Sequence, residues 1–299
     1  MEYSFPHYLL SKQSVDDRAL NRVVLSELKS RLGAGPLRVL DVGAGIGSML
    51  KRLVEWEILP AQVDYTLLDE MPENIAFARE WLQDWARQNG LQVNPLQGDG
   101  LRLAGPARTV RVHFVQADVF EYIRSRPARA DLLVAHAFLD LLPLPESLPG
   151  RFSLVRPGGL AWLTVNFDGL TAFEPELDAA LDEQIVRLFH RSMDERVTNG
   201  ARSGDSRTGR HLFGYLKQQG ASILAAGASD WVVYPRDGRY PADEAYFLHF
   251  ILHFFETSLA GYPELDAELF AAWLARRRDQ VEAGELVYIA HQLDYLVGV

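Results

Sequence analysis

Short apolar runs alternate along this chain with segments whose apolar residues recur every three or four positions, the pattern of strands interleaved with helices. Runs at Leu37 to Val42, Asp64 to Leu68, Val110 to Gln116, Asp131 to Ala135 and Leu160 to Asn166 predict five strands. Between the first three lie two helical segments, Met49 to Trp56 and Pro72 to Gln88. The second carries Ile75, Ala78, Trp81, Leu82 and Trp85 on one side. Ahead of the first strand, residues 14–32 predict one helix. Ser14 stands as its N-cap, Asp16 and Asp17 in its first turn, and Leu20, Val23, Val24, Leu28 and Leu32 at helical spacing. Gly33, Gly35 and Pro36 end it. Alternation of this kind predicts an α/β, doubly wound sheet.

The remaining punctuation refines that outline. Gly98-Asp99-Gly100 predicts a turn between two short strands, a hairpin inserted at 91–108. Past the fifth strand, helices are expected around Pro175 to Arg196, from Leu212 to Gly220, and over 242–260 and 264–282. Strand six lies within Ser222 to Tyr234, in two pieces broken at Gly227, and Glu285 to Gly298 reads as a closing strand that runs into helix or coil. Connections in α/β units normally add about 2–6 residues outside their helix, so the long departures at 168–210 and 236–283 read as cap insertions. The expected organisation is an N-terminal arm and helix over 1–36, a ligand-binding core over 37–167, and the remainder of the sheet with its caps over 168–299.

Composition narrows the partners. The 299 residues are 48% apolar and 23% charged, an ordinary globular balance with enough chain for a substantial core. A net charge of −10 argues against nucleic-acid backbones, which demand a basic face. Cysteine is absent, which removes disulfides, thiolate metal sites and a cysteine nucleophile. No basic segment followed by an apolar core opens the chain, and no run approaches the roughly 18 apolar residues of a membrane span. The expectation is a cytoplasmic protein with no membrane and no nucleic-acid partner; nothing in the pattern bears on its oligomeric state.

The stretch with the most chemistry is Val39-Leu40-Asp41-Val42-Gly43-Ala44-Gly45-Ile46-Gly47-Ser48. Glycines between a strand and a helix let the backbone turn tightly and approach a ligand, with the helix N–H groups facing it. The dinucleotide fingerprint is G-x-G-x-x-G. Here Gly43, Gly45 and Gly47 alternate strictly, and Asp41 stands where its charge would repel a pyrophosphate and suit a cation. After the second strand comes Asp69, spaced from the loop as a βαβ unit places an acid for ribose hydroxyls.

This combination, with Asp118 after the third strand and Arg156-Pro157-Gly158-Gly159 before the fifth, resembles the class I S-adenosylmethionine (SAM) dependent methyltransferases. The resemblance covers 37–167 and, more loosely, the C-terminal strands. It implies a mostly parallel, seven-stranded Rossmann-like sheet with an antiparallel last strand, and SAM as cofactor. It implies a cofactor site of Asp41, Gly43, Ala44, Gly45, Gly47, Asp69, Glu70, Met71, Asp118, Val119 and His136, with Arg18 or Arg22 of the leading helix meeting the SAM carboxylate or else facing solvent. Asp118 serves equally as an N-cap for the next helix. The Asn- or Asp-Pro-Pro-Tyr tetrapeptide of DNA and glutamine N-methyltransferases is missing after the fourth strand, where His136-Ala137-Phe138-Leu139-Asp140 stands.

Two functions are compatible with these residues: methyl transfer to a small-molecule acceptor under a helical lid, and a catalytically silent SAM-binding or protein-interaction module. For the first, His136 is the candidate base, with a place in the cofactor wall as its other role. Asp140, Arg207, Arg210, His211, His249 and His253 are candidate acceptor contacts. The loop holding Arg202, Arg207 and Arg210 suits a carboxylate or phosphate clamp and equally a solvated surface. His249, His253 and Glu256 have a spacing that can hold a metal, but Phe250-Ile251-Leu252 between the histidines lacks the H-E-x-x-H glutamate; no metal is expected.

Overall fold

A computed structural model of the chain describes residues 2–125, 128–198 and 200–299. Its strands are β1 (Leu37–Val42), β2 (Gln62–Asp69), β3 (Gln92–Pro95), β4 (Gly100–Ala104), β5 (Thr109–Gln116), β6 (Ala130–His136), β7 (Val155–Glu174), β8 (Val197–Thr198), β9 (Ala201–Arg202), β10 (Ser222–Ala228), β11 (Trp231–Val233) and β12 (Val287–Gly298). Ten of them form one sheet in the order β10-β12-β7-β6-β1-β2-β5-β4-β3, with β11 also paired to β12. The run β7-β6-β1-β2-β5 is parallel throughout, and β12 enters antiparallel between β7 and β10.

A parallel strand at the centre is covered on both faces, which is why β1 reads as a nearly continuous apolar run. Successive side chains still point to opposite faces. Val39, Val134 and Trp162 therefore belong to one apolar cluster and Leu40, Leu133 and Ala161 to another, one on each side of the sheet. Strand order reverses on either side of β1, so the crevice for a ligand opens beyond the carboxyl ends of β1 and β6.

Several sequence expectations are corrected. The leading helix is two, Gln13–Ala19 and Arg22–Arg31, because Asn21 turns into extended backbone and its side chain accepts from the N–H groups of Val23 and Val24. Ser14 lies within the first of these and donates its hydroxyl to Glu244 instead of capping. The hairpin is present as β3 and β4, and together with β11 it brings the sheet to ten strands rather than seven. β7 continues to Glu174, so 168–174 is strand, and the last segment is strand to Gly298, with neither helix nor coil intervening. The sixth strand breaks between Ala228 and Trp231, not at Gly227.

The helices Ala179–Asp194, Glu244–Leu259 and Ala267–Glu282 stand beyond the sheet, and a short helix Phe5–Ser11 packs on Glu244–Leu259 and on Pro72–Gln88. Tyr8 stacks on Phe250 at 4.5 Å and Tyr3 on His253 at 4.0 Å. Among the described residues no helix is long and apolar enough to cross a membrane.

Candidate cofactor and acceptor cavity

Beyond the strand ends lies a cavity of about 1510 Å³, walled on one side by the β1 turn and on the other by the cap helices and the N-terminal helix. Sites for one small ligand run to roughly 300–1,000 Å³, so this volume accommodates more than one molecule.

The turn after β1 is shaped by its glycines. Gly43, Gly45 and Gly47 have φ of +63°, +55° and +81°, the left-handed region that a side chain disfavours. A Cβ on Gly43 would overlap the Phe138 ring, and one on Gly45 would stand 2.8 Å from a Leu9 methyl. Gly43, Ala44 and Gly45 line the cavity, whereas Gly47 faces Leu82 and Leu67 and lets the following helix seat on the sheet.

Three acids surround that turn. Asp41 is fully buried and accepts from the Tyr65 hydroxyl at 2.8 Å, while its Oδ1 has no partner among the described residues. Burial pushes its carboxyl up to about 7, against the Tyr65 hydrogen bond and with help from the nearby charge of Asp69. Asp69 accepts from the N–H of Gly45 at 2.7 Å, the N–H of Met71 at 3.0 Å and the Asn74 amide at 3.0 Å. It therefore fixes the glycine turn and the start of the next helix together. Asp118 caps the helix Val119–Arg124 through one oxygen, accepting from the N–H groups of Phe120 and Glu121. Glu70, Met71, Asp118 and Val119 all line the same wall.

His136 ends β6 in the cavity floor, with both ring nitrogens engaged: Nδ1 lies 2.9 Å from the Thr164 hydroxyl and Nε2 2.9 Å from Asp16 Oδ2. The carboxylate fixes the ring proton on Nε2, leaving Nδ1 to accept. Burial drives the imidazole down to about 4, more than Asp16 pulls it up. At neutral pH it is uncharged and already hydrogen-bonded, a poor proton acceptor.

Asp16 is the residue that the sequence pattern misplaces. It is buried and accepts from His136 Nε2, from Trp231 Nε1 at 2.9 Å and from Arg52 at 3.3 Å, with Lys12 Nζ also 3.3 Å away. Burial alone would raise its carboxyl, but Lys12, His136 and Arg52 hold it well below the usual carboxylate range. Lys12, His136 and Trp231 carry this network to the cavity surface. A helical i,i+4 spacing relates Lys12 to Asp16 and was available in the sequence; the other partners come from three separate elements.

The other candidate contacts divide. Asp140 lines the cavity, buried, with Oδ1 unpartnered, and burial pushes its carboxyl up. Arg18 does not reach the cavity: it forms a two-pronged pair with Glu244, at 2.6 and 2.9 Å. Arg207, Arg210 and His211 also stay outside the cavity wall. Arg210 pairs with Asp168 at 2.8 Å and His211 with Asp205 at 2.6 Å. Asn199, in the same loop, lies outside the described residues. His249 bonds Glu282 at 2.8 Å and His253 stacks on Tyr3, both away from the cavity lining.

The sheet decides the fold class. Its mostly parallel core and its antiparallel β12 are those the sequence resemblance implied. The chain has a doubly wound, mostly parallel Rossmann-like fold. No protein-family model matches the sequence, and no curated protein matches it. Among solved structures, cyclopropane synthase MmaA2 from Mycobacterium tuberculosis is 11% identical, covers 98% of this chain and 96% of its own, and superposes with a TM-score of 0.46. Mycolic acid cyclopropane synthase CmaA1, complexed with SAH and CTAB, is 12% identical over 96% of this chain and 83% of its own, at 0.46. Geranyl diphosphate methyltransferase in complex with SAM is 11% identical over 96% of this chain and 84% of its own, at 0.42.

Proposed function

We propose that this chain transfers a methyl group from SAM to a small molecule held in the same cavity. The observation that carries this reading is the unpartnered, buried Oδ1 of Asp41 beside a glycine turn open to the cavity. A buried carboxylate oxygen without a donor is costly, and a ligand ammonium would satisfy it. A pyrophosphate there would meet Asp41, Asp69 and Glu70 and be repelled.

The residues present suit SAM. Asp69 retains about one of its four acceptor sites, on Oδ2, for a ribose hydroxyl after serving Gly45, Met71 and Asn74. Met71 and Val119 offer apolar surface to an adenine ring, and the second oxygen of Asp118 remains to accept from its amino group. When bound, SAM supplies a methyl on a cationic sulfur, already an excellent leaving group. The chain then needs mainly to align the acceptor and exclude water, a contribution worth up to roughly 7–11 kcal/mol. The N-terminal helix and cap helices close that space. In this reading His136 is a positioning residue of the floor rather than the base, because both its nitrogens are engaged. The domain division follows the same logic: 37–167 holds the donor, while 1–36 and the two caps enclose the acceptor.

Isothermal calorimetry with SAM, its demethylated product and NAD tests the cofactor. Binding of the first two without NAD is expected. NAD binding in the absence of SAM affinity would overturn the reading.

A further inference from the structure

Past the glycine turn the cavity is lined by aromatic rings, among them Tyr8, Phe167, Phe189, Phe254 and Tyr288. Set into this apolar wall are two cationic side chains that the donor site does not use. Lys12 is 4% exposed, and its ammonium sits 3.3 Å from Asp16 and 5.2 Å over the Trp231 ring, with the cavity beyond. Arg196 enters from the cap, and its Nη1 is buried without a partner among the described residues. Both lie within electrostatic reach of Asp140, whose own Oδ1 is also unpartnered.

One buried guanidinium nitrogen at this spot, Nη1 of Arg196, is left without a partner among the described residues. Asp16 and Asp17 balance Lys12 and Arg52. Asp140 lies near Arg196, and burial pushes its carboxyl up against the opposing pull of Arg196 and Lys12. An unpaired guanidinium nitrogen and a buried ammonium in an apolar chamber are each stabilised by an anion. Tyr8 and Tyr288 line the same chamber, and burial pushes both hydroxyls up, so both stay protonated.

We infer that the acceptor is an apolar, ring-bearing carboxylate, with its anion seated between Lys12 and Arg196 and its rings against the aromatic wall. This deepens the methyl-transfer reading and rests on it for the word acceptor; the anion site itself stands on the side chains alone. A cationic amine in the same place would face the two like charges of Lys12 and Arg196.

The test uses a fluorescent reporter, N-phenyl-1-naphthylamine, displaced from the full chain by 1-naphthoate, 1-naphthamide or 1-naphthylmethylamine. Naphthoate should displace it at the lowest concentration, and its advantage over the amide should fall about tenfold or more in K12M or R196Q, the loss of a charged hydrogen bond. The amide should respond equally in all three proteins. R196Q leaves the Lys12–Asp16 pair intact, so it decides the matter should K12M fail to fold. A reporter that does not bind, equal displacement by all three, preference for the amine, or an advantage retained in every folded variant would overturn the inference. Calorimetry with SAM on the same samples keeps the two proposals apart. Naphthoate selectivity without SAM binding sinks the transferase and spares the anion site; SAM binding without selectivity does the reverse.

Discussion

Nε2 of His136 lies 2.9 Å from Oδ2 of Asp16, a residue 120 positions earlier in the chain. That contact fastens the N-terminal segment to the end of β6 and makes both groups sensitive to pH in the same sense. His136 titrates at about 4 in the folded chain, below the unfolded value near 6.5, and Asp16 is held low as well. The unfolded chain therefore binds more protons across this range, and stability rises with pH. The contribution of His136 is fully present above pH 6.5 and is lost as pH falls through about 4.

Replacing His136 with Gln should flatten that dependence. Urea unfolding at pH 7 and pH 4.5 should show wild type losing on the order of 2–3 kcal/mol more than His136→Gln over the interval. Asp16 stays low through Lys12 and Arg52 in both proteins, and groups not in contact with His136 cancel in the comparison. Parallel pH profiles would show that the histidine does not titrate as its burial demands.

Asp41 has the opposite sign. Its folded carboxyl is pushed up to about 7, so the native chain keeps a proton that the unfolded chain releases above about pH 4. The contribution is present at low pH and lost as pH rises through 7. Asp41→Asn keeps an acceptor for the Tyr65 hydroxyl and carries no charge. It should gain about 1–3 kcal/mol relative to wild type at pH 8, with little change at pH 4. Affinity for SAM should fall by roughly 10-fold or more, the loss of a charge-assisted hydrogen bond. A variant that binds SAM as wild type does would remove Asp41 from the site.

The glycine turn makes a packing prediction. Gly43 has positive φ and touches the Phe138 ring, so Gly43→Ala adds backbone strain and a steric overlap. About 2–4 kcal/mol of destabilisation is expected from the two terms together. Phe138→Ala in the same chain removes the overlap and leaves the strain, so the double variant should recover part of the loss. Additive losses in a double-mutant cycle would show that ring and turn do not bear on each other.

What was legible in the sequence is local chemistry. The βαβ register, the hairpin at Gly98 and the glycine turn each declare themselves within a few residues, because strand burial and left-handed turns act on neighbours. Asp16 was not legible. It follows a plausible helix start, and nothing nearby distinguishes a first-turn acid from one buried against Arg52, His136 and Trp231, which lie 36, 120 and 215 positions away. Arg18 fails for the same reason, its partner being 226 positions distant. The break at Asn21 is a different case. An asparagine before Arg22-Val23-Val24 is an N-cap signal, but the apolar period from Leu20 to Leu32 continues across the break and conceals it.

The Arg18–Glu244 pair sets how firmly the N-terminal segment covers the cavity. Glu244 is fully buried, and its carboxylate takes both Arg18 prongs and the Ser14 hydroxyl at 2.6 Å. Removing one partner of such a pair leaves an unpaired charge, which costs more than an exposed ion pair contributes. Arg18→Ala strands Glu244 with a single donor, and Glu244→Gln removes the charge while keeping an acceptor for Arg18. The first should therefore loosen the segment more than the second. Hydrogen exchange over residues 5–19 reads this directly, and amide protection there should drop by roughly 10-fold or more in Arg18→Ala and less in Glu244→Gln. The core strand β1, held in the sheet between β2 and β6, should exchange as in wild type. Loosening that extends into β1 would mean the segment is part of the folding core and not a separable lid.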